Sequence, residues 1–278
     1  MLPADNHVHS EWSWEADEGS LERSCARAVA LGLPAIAFTE HGDLTAWTIG
    51  PALVPRLPDR FRARLEPDGP LRPPDLDVAG YLAEVRRCRD LFPGLAIRTG
   101  IELSEPHRHP DRVAELLSGG DFERVLGSVH SVRTPDGDVM VDELLVTRPA
   151  AEAVRAYLAE VLRMVEACDA FQVLAHLDYP ARSWPAAEGP FDPRAFEGEI
   201  RAVLRALADS GRVLEVNTTL PSDGEVIGWW HEEGGALVSF GSDAHSPAKV
   251  ARTFAGAADE VRRRGFGPGP ADFWVRTG

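Results

Sequence analysis

Short apolar runs that end in polar residues recur along the chain. Leu33 to Phe38 leads into Thr39-Glu40-His41, and Leu95 to Ile97 approaches Glu102. Val125 to Val129 ends at His130, Val173 to Ala175 at His176, and Val213-Leu214 at Glu215-Val216-Asn217. Ala236 to Phe240 runs into Gly241-Ser242-Asp243-Ala244-His245. With the opening Asp5-Asn6-His7-Val8-His9 segment, these make seven expected strands, and continuous apolar runs of this length suit strands buried on both faces. Helical patterns lie between them. Val154, Tyr157, Leu158, Val161, Leu162 and Val165 fall on one face of a helix, and further helices are expected near 20–31, 78–91, 111–118, 193–209 and 248–264.

Strands alternating with helices predict an α/β fold with a parallel sheet, closed as a barrel or open and doubly wound. Closure is favoured, because a barrel gathers the C-terminal ends of all its strands on one face, and the polar residues stand at those ends. The chain reads as a single domain over 1–278, with a proline-rich excursion at about 47–77 that lacks periodicity. That excursion is expected either to cover the active face or to be a tolerated surface insertion. No internal repeat or heptad pattern is present.

Composition narrows the function. The 278 residues carry a net charge of -15 with 26% charged residues, which disfavours binding to long nucleic acids, where counterion release needs basic surface. No apolar stretch has membrane-spanning length. The opening segment lacks the pattern of a secretory signal, so a cytoplasmic protein is expected. Cys25, Cys88 and Cys168 are widely spaced and read as reduced core thiols.

His7 and His9 are two apart, so on a strand both imidazoles face one side and can reach one ion. Alone, this H-x-H pair reads more readily as two hydrogen-bonded histidines at a strand end, since short motifs match by accident. Of nine histidines, however, six (His7, His9, His41, His130, His176 and His245) stand at expected strand ends, with Glu102 and Asp243 beside them. Imidazole and carboxylate without thiolate suit zinc, manganese or iron, and so many donors exceed what one tetrahedral ion uses. Two or three divalent ions are expected.

The motifs H-x-H, T-E-H, G-I-E, G-S-V-H, A-H-L-D and G-S-D-A-H, in this order, resemble the PHP (polymerase and histidinol phosphatase) superfamily over nearly the whole chain. The segment Tyr81 to Glu102 and Gly127-Ser128-Val129-His130 look most like its histidinol-phosphate phosphatases. The resemblance implies a distorted (β/α)7 barrel of PHP type with a trinuclear metal site. By motif, His7, His9, Glu102 and Asp243 would hold one ion, and Glu102 would bridge to a second held by His130 and His176. His41 and His245 would hold the third, completed by Glu15 or by Asp17. Glu40 could orient an imidazole.

Such a site implies hydrolysis of a phosphate monoester, with Glu102, Asp243 and His245 as catalytic residues and a metal-bridging hydroxide as nucleophile. The small-molecule substrate most resembling the family's is L-histidinol phosphate, an intermediate of histidine biosynthesis. Ser128 and Ser242 are poor nucleophile candidates because neither sits in a G-x-S-x-G turn. Arg133, Arg182 and Lys249 follow ligand histidines closely and are candidate phosphate contacts, with Asn217 a further substrate contact. Trp12 and Trp14 could flank a ring. His107, His109 and His231 are expected outside the site. Two other functions fit the same residues: a phosphoesterase acting on nucleotides or short oligonucleotides, and a metal-binding module without catalysis.

Overall fold

All seven expected apolar runs form strands. The structure is a computed structural model that describes residues 2–51, 53–66, 70–220 and 224–277. Its strands are β1 (Asp5–Val8), β2 (Ala35–Asp43), β3 (Ala96–Ser104), β4 (Arg124–Ser128), β5 (Ser131–Thr134), β6 (Gly137–Met140), β7 (Val173–Leu174), β8 (Val213–Asn217), β9 (Leu237–Gly241), β10 (Phe266–Pro268) and β11 (Trp274–Arg276). Nine of them form one sheet in the order β1-β2-β3-β4-β7-β8-β9-β11-β10. The seven from β1 to β9 pair in parallel.

The sheet curls until its first strand meets its last parallel one, but only at one end. Asp243 N–H donates to His7 O at 2.8 Å, and His9 N–H donates to Ala244 O at 2.9 Å. At the opposite end β9 pairs instead with antiparallel β11, through Trp274 with Val238. The barrel is therefore closed where the strand C-termini converge and propped open at its base, which is the distortion the motifs imply. Arg124 completes the base: its guanidinium lies over the Phe273 ring at 4.6 Å and 3.3 Å from Asp272.

Two strand pairs escape the apolar-run pattern. Antiparallel β5–β6 turns at Thr134-Pro135-Asp136-Gly137, whose Pro-Asp-Gly is itself a turn signal. Strands β10 and β11 are three residues each, too short for periodicity to reveal.

The helices turn apolar faces inward. On Ala150–Ala167, Val154, Tyr157, Leu158, Val161 and Val165 are buried as the spacing predicts, and Leu162 is half-buried. Helices also form over Leu21–Leu31, Val78–Leu91, Pro110–Ser118 and Glu197–Asp209. The expected helix at 248–264 starts only at Phe254. Asp5 accounts for the delay: its carboxylate accepts the Ala251 N–H at 2.8 Å and the Ser242 N–H at 2.9 Å, tying that segment to β1. Ala251 and Thr253 take positive φ there. Cys25 and Cys88 are buried free thiols, and Cys168 is a half-buried one. No helix among the described residues is long and apolar enough to cross a membrane.

The proline-rich excursion, of which residues 52 and 67–69 lie outside the described residues, carries a small apolar cluster of its own. Trp47, Phe61 and Leu71 are its buried members, with Trp14, Leu65 and Met140 packed on them. Trp47 and Leu71 exchange backbone hydrogen bonds of 2.9 and 2.8 Å, and Thr48 N–H donates to Asp138 O in the β5–β6 hairpin at 2.7 Å. The excursion is thus stitched to the hairpin that follows His130.

The hairpin is anchored from behind by Arg108, which reaches Asp138 at 2.9 Å and buried Glu160 through its Nε, also at 2.9 Å. Burial disfavours the Glu160 carboxylate, but His107 and Arg108 outweigh it and hold its pKa down to about 2 from the ordinary 4.5. A depressed carboxyl stabilises the fold fully above its unfolded pKa and ceases to do so as pH falls through the folded one. Glu160→Gln is therefore expected to be less stable than the wild type at neutral pH. Urea unfolding at a series of pH values should show the gap closing between about 4.5 and about 2.

Candidate metal centre

Alternation along the strands decides which side chains share the closed mouth of the barrel. His41 and Asp43 lie two apart on β2, Glu102 and Ser104 on β3, Glu215 and Asn217 on β8. His7 and His9 straddle the end of β1, while His130, His176 and Asp243 stand just past β4, β7 and β9. His176 and Asp243 have φ of 24° and 51°, a sparsely populated region for residues with a Cβ, and one that recurs at functional sites.

Glu102 is the centre. Its Oε2 lies 3.4 Å from His7 Nε2, 3.5 Å from His9 Nε2 and 3.3 Å from His41 Nδ1. Its Oε1 lies 2.7 Å from His176 Nε2 and 3.4 Å from His130 Nε2. Asp243 approaches His9 at 3.3 Å, and Glu15 approaches His41 at 2.9 Å and His245 at 3.2 Å. The structure brings together all nine residues of the expected ligand set. It also distinguishes Glu15 from Asp17, which is exposed and paired with Arg60.

Four of the imidazoles have their orientation fixed from behind. His7 Nδ1–H donates to Glu215 at 2.7 Å, and His245 Nδ1–H donates to the Asp243 carbonyl at 3.0 Å. His9 Nδ1–H donates to Ser13 Oγ at 3.0 Å, and that hydroxyl donates onward to Glu40. His130 Nδ1–H donates to Ser104 Oγ at 2.8 Å, whose hydroxyl donates to Asp43. In the neutral ring a proton held on Nδ1 puts the lone pair on Nε2, and in all four rings Nε2 faces the other donors. This is how protein ligands are commonly prepared for a metal. Glu40 thus takes the orienting place expected of it.

Asp43 and Glu215 were not among the expected site residues. Asp43 follows His41 by two on a strand, the same spacing that singled out His7 and His9. Trp14 Nε1–H donates to its Oδ2 at 2.9 Å, so with Ser104 both oxygens are occupied. Glu215 also accepts the His176 N–H at 2.7 Å and the Asn217 amide at 3.1 Å. Gly241 passes so close to this pair that a Cβ would meet the Glu215 carboxylate and stand 2.6 Å from His7 Cβ.

The expected substrate contacts divide. Arg182 lines the pocket, 2.7 Å from Asp243 and 5.0 Å from the centre of the Tyr179 ring. Arg133 does not line it: it points away on β5 and pairs with Asp138 at 3.0 Å. Lys249 is exposed on the turn Pro247–Lys249. Asn217 is buried, acts on Glu215, and borders a separate cavity of about 460 Å³ between helices. Sequence distance from a histidine does not fix the direction of Arg133 or Lys249 once the chain turns. Trp12 packs on Gly80 rather than in the pocket. His107 and His109 bond to Glu160 and Thr45, and His231 lies against Phe266, all outside the site as expected.

Charges in the pocket compensate one another. Burial disfavours imidazolium at His7, but Glu215, Glu102 and Asp243 overcome it and hold its pKa well above the ordinary range. His130 is raised likewise, by Glu102 and Asp43 against burial, and His41 rises to about 10 beside Asp43 and Glu15. His9 is pushed well down by burial and by the imidazoles of His41 and His245. Burial opposes charge on Glu102 and Asp243 too, yet neighbouring cations keep both well below the usual carboxylate range. Among the described residues, nitrogen and oxygen donors fall into four sets of three with their atoms within 4.8 Å of one another. Such sets could hold divalent ions.

A family model for the PHP domain matches residues 5–219. A histidinol-phosphatase of Lactococcus lactis subsp. lactis is 26% identical over 278 aligned residues, covering 96% of this chain and 93% of that relative. The crystal structure of a histidinol phosphate phosphatase from the same organism, complexed with zinc, L-histidinol and phosphate, matches with a TM-score of 0.79. It is 24% identical and covers 96% of this chain and 95% of that one, a likeness that establishes the shared fold.

Ions entering the pocket must displace protons from His7, His41 and His130, which hold them more tightly than ordinary histidines do. Affinity for zinc is therefore expected to rise with pH, up to and beyond the ordinary histidine pKa of about 6.5. Competition with a chromophoric chelator across that range checks it; a flat profile would contradict the charge balance described.

Proposed function

The chain belongs to the PHP domain family, and on that premise we propose that it is a metal-dependent phosphomonoesterase that hydrolyses L-histidinol phosphate to L-histidinol and phosphate. The observation that carries this reading is Glu102, one carboxylate with the Nε2 atoms of His7 and His9 at one oxygen and those of His130 and His176 at the other. The donor set fits two or three ions of zinc, manganese or iron, being imidazole and carboxylate throughout. The named activity of the Lactococcus lactis relative supports the substrate. On the same reading the chain is one domain and acts in the cytoplasm, in histidine biosynthesis.

His7, His9, Asp243 and Glu102 would hold one ion, Glu102, His130 and His176 a second, and Glu15, His41 and His245 a third. Ions held there supply Lewis acidity, lowering the pKa of water and neutralising charge on a phosphoryl group. The protein's own residues do the rest. Arg182, the cation that does line the pocket, grips phosphoryl oxygens through its guanidinium and exchanges part of its pairing with Asp243 for the incoming anion. Ser13, Ser104 and Glu215 keep the imidazole protons on Nδ1, so that Nε2 stays available. Trp47 and Met140 wall the pocket and restrict water.

Three substrates test the proposal: L-histidinol phosphate, a nucleoside monophosphate and a generic aryl phosphate, each assayed by phosphate release with metal-loaded protein. The expected order puts histidinol phosphate first by at least about tenfold in kcat/KM, a difference in transition-state binding that one good hydrogen bond can supply. Equal slow rates would remove the substrate, and no release from any ester would remove the enzyme. Asp243→Ala and His9→Ala should each lower activity by more than about 100-fold, since loss of even an outer hydrogen-bond partner can reach that range, and metal analysis should show depleted ions. Full activity in either variant would refute the ligand assignment.

A further inference from the structure

The pocket has two kinds of wall. Nine of its twelve lining residues are the acids, histidines and arginine already described; the other three are Trp47, Met140 and Tyr179. The ionic side suits a phosphoryl group and its cations. The remaining wall is where the organic part of an ester can be met: the pocket, about 80 Å³, holds little more than a phosphoryl group and its cations, so the leaving group passes out along its edge.

Trp47, one residue of that wall, carries an unsatisfied donor. It is 2% exposed, and its indole Nε1–H has no acceptor among the described residues. A buried donor is ordinarily paired, so an orphan beside a pocket points to a partner that arrives with the ligand. Trp14, 6.2 Å away between ring centres, has its N–H committed to Asp43. Trp12 Nε1 is also unpaired, but it packs on Gly80 and does not line the pocket.

The indole is held rigidly. Its backbone pairs with Leu71 on both sides, its ring belongs to the cluster with Phe61 and Leu71, and Thr48 fastens the segment to the β5–β6 hairpin. A donor fixed in this way costs little to organise when ligand binds.

We propose that Trp47 is a specificity-determining residue: its indole N–H donates to an acceptor atom on the organic part of the substrate, selecting phosphate esters whose leaving group carries a flat ring with an in-plane acceptor. The inference rests on the phosphomonoesterase reading and assigns to the excursion the discrimination among esters. An imidazole nitrogen is such an acceptor, whereas a phenyl ring has none.

The test compares L-histidinol phosphate with L-phenylalaninol phosphate, which keeps the amino alcohol and replaces imidazole by phenyl. Trp47→Phe keeps an aromatic ring and removes only the donor. On histidinol phosphate it should lose about tenfold in kcat/KM, mostly through a higher KM, as expected for one hydrogen bond. On phenylalaninol phosphate the loss should be smaller, below about twofold, and circular dichroism and metal content equal to those of the wild type show that the variant is folded. Leu65→Ala loosens the same apolar cluster without touching the donor, and should affect both esters alike.

Equal losses on both esters in Trp47→Phe, no loss on either, or a selective loss reproduced by Leu65→Ala would each overturn the proposal. Wild-type protein that hydrolyses neither ester removes the phosphomonoesterase reading and this inference together. Active wild type with an unselective Trp47→Phe removes the inference alone.

Discussion

One buried carboxylate sets the terms for the mouth of the barrel. Glu102 is 1% exposed and has no solvent to stabilise its charge, so five imidazoles within about hydrogen-bonding reach must do so. Burying an unpaired carboxylate costs several kcal/mol, and compensating groups with good geometry offset much of that cost. The same constraint draws Asp243 against Arg182 and Glu15 against His41. Acids and imidazoles are kept in mutual contact by a low-dielectric setting that punishes separation.

Around that centre lies a ring of groups that touch no reacting atom. Ser13 with Glu40, Ser104 with Asp43, and Glu215 with Asn217 each fix a ring or a carboxylate from behind. Asp5 fastens the 242–251 segment to β1, and through it the position of Asp243 and His245. A cluster of donors alone would collapse into whichever hydrogen bonds it could make; this outer ring leaves Nε2 atoms facing inward. Positive φ at His176 and Asp243 shows that local backbone preference yields to the same demand.

The wall opposite the ionic groups has a different origin. It comes from the excursion, whose Trp47, Phe61 and Leu71 form a cluster of their own, and from the β5–β6 hairpin, which gives Met140 to that cluster and Val132 and Val139 to the main core. Arg108 ties this layer to the helix behind it through Asp138 and Glu160. The ionic mouth and this wall are thus built from different segments, the arrangement that the proposed selectivity requires.

Much of this was legible along the chain. Apolar runs ending in His41, Glu102, His130, His176 and Asp243 located both the strands and the donor set, because a strand buried on both faces must be apolar until it reaches the rim. The H-x-H spacing fixed which side His7 and His9 share, since alternation is a property of the strand itself. Direction and partnership were not legible. Arg133 turned to Asp138, Lys249 to solvent, and Asn217 to Glu215; Asp43 and Glu215 proved to be orienting groups, and Asp5 cut short the helix expected at 248. Each of these outcomes depends on which groups from distant segments arrive at hydrogen-bonding distance, and the half-closed barrel, with β9 shared between β1 and β11, decided that. Periodicity and residue type act over a few neighbours, whereas charge compensation in a buried pocket is a property of the assembled whole.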